Sequence, residues 1–253
     1  MILNLFKRRQ GVPPRSVAVP AGQRVYAIGD VHGCAKLLDA LIARIDADDA
    51  ARGAAQTILI FLGDLIDRGP DSAQAVERVR TLTAARSDVR LIVGNHEEVF
   101  LDALKGDSKA LRLFCRIGGR ETAISYGMSA DAYERADYDD LGRALDELVP
   151  DSHRQLLAGG SDMEIVGDYA FVHAGVRPDR PLEEQSVGDL RWIRGSFLDH
   201  DGELAKRIVH GHTISDTVEY RDHRIGVDTG AYVSGRLSAI GLEGVQAWTI
   251  EVS

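Results

Sequence analysis

The chain has 253 residues, 44% of them hydrophobic and 27% charged, and a formal net charge of −9. That length can bury a sizeable core as one large domain, while the acidic balance excludes a protein that draws its affinity from a nucleic acid duplex, which calls for a basic face. Two cysteines, Cys34 and Cys115, exclude a disulfide framework and point to a reducing cytoplasm, and no apolar run approaches the roughly 18 residues needed for stable membrane insertion.

In chain order, "MILNLFKRRQ" places apolar residues ahead of the charge, the reverse of a secretory signal. Residues 1–22 are read as a flexible, proline-containing lead-in, and 23–253 as a single domain. "RVYAI" is an apolar strand, followed by the polar turn "GDVHG" and by Leu37, Leu38, Leu41, Ile42 and Ile45 at helical spacing. "TILIFL" repeats the plan: Gly63 and Asp64 follow the strand, and Ser72 is placed to cap the next helix. "VRLIV" does so again, with Gly94, Asn95 and His96 in the turn.

Strands alternating with helices predict a largely parallel sheet with right-handed crossovers. The carboxyl ends of such strands share one edge, where ligands bind. Asp30, His32, Asp64, Asn95 and His96 are therefore expected to converge. Residues 98–167 read as a polar helical insertion covering one side of that edge. Two more strands follow, "YAFVHAG" ending on His173 and "RIVHGHT" ending on His210 and His212. The alternating runs after Thr213 predict an antiparallel meander that forms a second sheet packed on the first. His153, His200 and His223 lie in polar surroundings and are expected on the surface.

The candidate ligands are Asp30, His32, Asp64, Asn95, His173 and His212, with His210 in reserve. They are too many for a closed four-coordinate zinc site, and no thiolate is among them. Mixed carboxylate, imidazole and amide donors suit Mn, Fe, Zn or Co, and the count suits two ions about 3.5–4 Å apart. One carboxylate has to bridge two such cations, and Asp64, central in chain order, is the natural bridge. The chemistry to expect is in-line attack of a metal-bound hydroxide on a phosphoryl group. Arg68, four residues past Asp64, can clamp that group, with Arg194 as second clamp and Arg191 as its rival. His96 is placed to protonate the leaving oxygen, oriented by Asp67.

Taken together, "GDVHG", "GDLIDRG", "GNHE", "VHAG" and "HGHT" resemble, in order and spacing, the phosphoprotein phosphatase branch of the calcineurin-like metallophosphoesterases. The likeness runs from about Arg24 to the C-terminus, and "GGRETAISYG" and "LRWIRG" look like stretches of bacterial members. It implies an α/β fold of two mixed sheets sandwiched between helices. It also implies Asp30, His32 and Asp64 on one ion, Asp64, Asn95, His173 and His212 on the other, Arg68 and Arg194 on phosphate, and His96 with Asp67 as the acid. Only the resemblance chooses His212 over His210. The expected activity is a manganese-dependent phosphoric monoester hydrolase acting on phosphoserine and phosphothreonine in proteins, with phosphotyrosine as a further substrate. The alternative is a diadenosine tetraphosphatase, and a distant one is an inactive binding scaffold, which would be expected to have lost a ligand or an arginine.

Overall fold

The computed structural model describes residues 16–253. Along the chain lie β1 (Gln23–Ile28), α1 (Ala35–Arg52), β2 (Gln56–Phe61), α2 (Ser72–Ala85) and β3 (Val89–Leu91). Six helices follow: α3 (Asn95–Leu104), α4 (Ser108–Ile117), α5 (Gly119–Ser125), α6 (Ala130–Arg135), α7 (Tyr138–Leu148) and α8 (Asp151–Ala158). Then come β4 (Met163–Val166), β5 (Tyr169–Val172), α9 (Val187–Trp192), α10 (Gly195–Leu198), β6 (Arg207–His210), β7 (Glu219–Tyr220) and β8 (Arg224–Gly226). The described chain closes with α11 (Ala231–Ser234), β9 (Leu237–Glu243) and β10 (Gln246–Val252).

The strands form two mixed five-stranded sheets, ordered β10-β9-β1-β2-β3 and β4-β5-β6-β8-β7. The period of two along each strand explains the layering. On β1 and β2, Tyr26, Ile28, Leu59 and Phe61 face α1 and α2 through Leu38, Leu41, Val76 and Val79. The alternate residues Val25, Ala27, Ile58 and Ile60 meet Tyr169, Phe171, Val209 and Ile225 of the second sheet. The far face of that sheet packs Ala170, Val172 and Ile208 under Leu190 and Phe197. Helices thus cover a two-sheet sandwich on both sides, and the central strands carry continuous apolar runs, residues 25–28 and 58–61 among them, because both of their faces are buried.

The meander is not one sheet. β7 and β8 join the second sheet, with β8 parallel to β6, whereas β9 lies antiparallel to β1 in the first sheet and carries β10 at its outer edge. Alternation specifies which face a strand buries and not which neighbour it takes. Ser72 does not cap α2: it is the first helical residue, and its hydroxyl accepts the Asp67 N–H at 3.0 Å. His153 and His223 are buried, and His200 is half-buried against His223. His153 is held between the Tyr126 hydroxyl and Glu77, each at 3.0 Å. Of the lead-in, residues 1–15 lie outside the described residues. Residues 16–22 are tied down where Val19 donates its N–H to the Gly244 carbonyl at 2.8 Å and buries its side chain between the sheets. Among the described residues no helix is long and apolar enough to cross a membrane.

Candidate metal centre

Three loops leave the carboxyl ends of β1, β2 and β3 and are bonded to one another before any ligand is considered. Val31 and His32 N–H groups donate to the Asp64 carbonyl at 3.1 and 2.8 Å. Glu97, fully buried at the start of α3, accepts the N–H groups of Asp64, Leu65 and Gly94 at 2.8, 2.8 and 2.9 Å. Gly94 is required here, since a Cβ on it would collide with the Asp64 carboxylate. Among the described residues the non-glycine positions at positive φ are His32, Asp64, Asp67, Arg68 and His212. Every one of them is a candidate site residue, and such strain persists only where surrounding structure over-determines it.

The side chains converge on Asp64. Its Oδ2 lies 3.6 Å from His32 Nε2, 3.8 Å from His96 Nε2 and 3.4 Å from His173 Nε2. His173 Nε2 is also 2.9 Å from Asn95 Oδ1 and 3.1 Å from His212 Nδ1. Two buried triads result, His32–Asp64–His96 and Asp64–His173–His212, with Asp64 in both. Asp30 stands outside the triads, where both carboxylate oxygens accept the His212 N–H at 3.0 and 3.1 Å. His210 points elsewhere: its ring packs edge-on against Phe197, and burial takes it down to about 4.

The donor set fits divalent cations. His32 and His173 each donate Nδ1–H to a carbonyl, Ile66 and Leu62 respectively, at 2.8 Å. Both imidazoles are thereby turned with Nε2 toward Asp64, the outer support typical of metal-ligating histidines. Burial holds His32 and His212 down to about 3, which keeps their lone pairs free. Burial works against charge on Asp64, yet the His173, His96 and His32 imidazoles hold its carboxyl well below the usual range. Burial also opposes protonation of His173, but Asp64 prevails and lifts it to about 10, so positive charge is favoured at this point. His212 Nε2 is buried with no partner among the described residues.

Beside the triads, His96 Nδ1 meets Asp67 Oδ2 at 2.6 Å. Burial pulls the His96 imidazole down, but Asp64 and Asp67 outweigh it and raise its pKa. Asp67 is held by Thr122, whose hydroxyl donates to Oδ1 at 2.6 Å and accepts the Asp67 N–H at 2.9 Å. Arg68 places Nη1 and Nη2 2.9 and 3.1 Å from the Nε2 atoms of His32 and His96, and it lies 5.0 Å from the Tyr232 ring. The two rival arginines separate clearly. Arg191 is bound to Asp162 and Glu98 at 2.6 and 3.2 Å, while Arg194 is exposed beside the His212 loop, 3.3 Å from the Thr213 hydroxyl. Glu97, Thr122 and Tyr232 escaped the sequence reading as site residues. Glu97 and Thr122 carried a signal, since they lie inside the quoted "GNHE" and "GGRETAISYG". A cleft of about 730 Å³ lined by Arg44, Asp48 and Trp248 shares no residue with these loops.

The profile of the calcineurin-like phosphoesterases matches residues 23–228. The chain belongs to this family. Its members hydrolyse phosphoric esters with bound metal, and the two histidine–aspartate triads are the groups here that could hold it. Among curated relatives, the asymmetrical bis(5'-nucleosyl)-tetraphosphatase PrpE of Bacillus mycoides (strain KBAB4) is 25% identical over 233 residues, covering 84% of this chain and 88% of its own. A solved structure assigned as a diadenosine tetraphosphatase shares the fold with a TM-score of 0.64 at 19% identity, covering 94% of this chain and 99% of the other. A Saccharomyces cerevisiae protein serine/threonine phosphatase does so with a TM-score of 0.53 at 13% identity, covering 92% and 80%.

Proposed function

We propose that this phosphoesterase is a phosphoric monoester hydrolase acting on phosphoserine and phosphothreonine, with a pair of divalent cations, manganese foremost. Asp30, His32 and Asp64 would hold one cation, and Asp64, Asn95, His173 and His212 the other. When bound, such a pair supplies the charge that acidifies an attacking water and polarises the phosphoryl oxygens. The protein's own groups do the rest. Arg68 and Arg194 bind and orient the phosphoryl oxygens, and their forked N–H groups match the charge that spreads over them in the transition state. His96 offers a proton from Nε2 to the leaving oxygen while Asp67 holds Nδ1–H.

The observation that carries the monoester reading is that dyad. An alkoxide leaving group needs a proton, and the chain commits a buried histidine, a buried aspartate and Thr122 to supplying it. A second reading, hydrolysis of a dinucleoside polyphosphate, is favoured by the curated relatives and by the exposed Tyr232 ring beside Arg68, which offers a face to a nucleobase. Parallel turnover of a phosphopeptide panel and diadenosine tetraphosphate with Mn²⁺ decides: higher kcat/KM on phosphopeptides supports the first reading, and clear preference for the dinucleotide replaces it with the second.

A further inference from the structure

Asp228 follows β8 in "GVDTG" and is 1% exposed. Its Oδ1 accepts the Gly230 N–H at 2.8 Å, which shapes the turn into α11. Its Oδ2 is buried and meets no hydrogen-bond donor among the described residues. Burying an ionised oxygen with nothing opposite is costly, and the turn does not require it. An asparagine or a serine would accept the Gly230 N–H without the charge.

Gly29 brings the Asp228 backbone up to the loop that carries Asp30. A Cβ on this residue would stand 2.7 Å from the Val227 carbonyl oxygen and 3.3 Å from the Asp228 nitrogen. The end of β1 therefore touches the end of β8 backbone to backbone, across the two sheets. Asp30 and Asp228 each stand next to that contact in sequence, and both are buried. The nearby guanidinium, Arg68, has its fork on His32 and His96.

We infer that Asp228 is an additional acidic residue of the cation centre, its Oδ2 serving the divalent ion on the Asp30 side. The inference rests on the two-cation reading above. Two buried carboxylates brought together by a glycine contact are best offset by a doubly charged ion, whose own charge dominates such a site.

The test is calorimetric titration of chelator-stripped protein with MnCl₂, for wild type, Asp228→Asn and Asp228→Ser. Both substitutions keep an acceptor for Gly230 and remove the charge, so either suffices if the other misfolds. One of two binding steps should weaken about 10–100-fold while the other stays within about twofold. The thermal midpoint of the stripped protein should not fall, because a buried oxygen without a partner loses its charge. Unchanged affinity in both steps overturns the inference. So does a lowered stripped-protein midpoint with both steps weakened alike, which marks a purely structural residue. Wild type that takes up no Mn²⁺ overturns the metal reading itself.

Discussion

His96 and Asp67, 2.6 Å apart and both buried, make the leaving group the variable that exposes their role. His96→Asn keeps size and a hydrogen-bonding head but loses the titrating proton. General acid help is worth about 10²–10⁴-fold, so kcat on phosphoserine peptides should fall by that order and kcat on p-nitrophenyl phosphate much less. Asp67→Asn should follow more mildly. The sign with pH follows from the raised His96 pKa: the acid is competent while protonated, so turnover of alkoxide substrates declines as pH rises through that value. In His96→Asn that basic limb should vanish. Equal losses across leaving groups of graded basicity would withdraw the acid role. The arginines permit a second comparison. Arg194→Ala should lower kcat/KM about 10²-fold through lost phosphoryl contacts. Arg191→Ala should do less, because that side chain is committed to Asp162 and Glu98. Steady-state kinetics of the two variants would move the clamp to Arg191 if the order were reversed.

Between elements, the tie that matters is Glu97, which joins the start of α3 to the loop after β2 through three N–H groups. Glu97→Gln turns an amide donor toward donors that cannot be satisfied. Leaving buried N–H groups unpaired costs about 1–3 kcal/mol each, so denaturant unfolding should show a loss on the order of 2–3 kcal/mol, with metal uptake weakened at both triads. Unaltered unfolding would mean that water replaces the carboxylate. Such ties mark the boundary of what the sequence discloses. The convergence of Asp30, His32, Asp64, Asn95, His96 and His173 was legible because each follows an apolar run at a glycine-bearing turn, and such turns share a sheet edge, whereas His212 shares its run with His210 and was separated from it only by the resemblance. The different partners of Arg191 and Arg194 were not legible, because both lie in one short segment with nothing in it to say which carboxylates fold against either. The transfer of β9 and β10 to the first sheet was hidden for a similar reason: alternation fixes a face and leaves the neighbour open. Asp228 was read within an alternating run of the meander, and His153 as a surface residue, because a single side chain in such a stretch carries no sign of what closes over it.

At the scale of the whole molecule, the centre takes Asp30, Asp64 and Asn95 from the ends of the first sheet and His173 and His212 from the second. Cations bound there would tie the two sheets together in addition to the chemistry proposed for them. Anything that binds the folded state alone stabilises it. At ligand concentrations about 100-fold above Kd, each ion is worth about 2.7 kcal/mol. Adding Mn²⁺ to stripped protein should therefore raise the thermal midpoint, and Asp64→Asn should abolish most of that rise, because one carboxylate serves both triads. A wild-type-sized rise in Asp64→Asn would refute its bridging position. The shared edge has a consequence for motion too. Chelation removes a link common to both sheets, so amide hydrogens at the carboxyl ends of β2 and β5 should begin to exchange at the same rate and in the same opening event. Amides at the opposite ends of those strands, sealed by the apolar layer between the sheets, should keep their protection, so the sandwich opens from its catalytic edge like a book held by its spine.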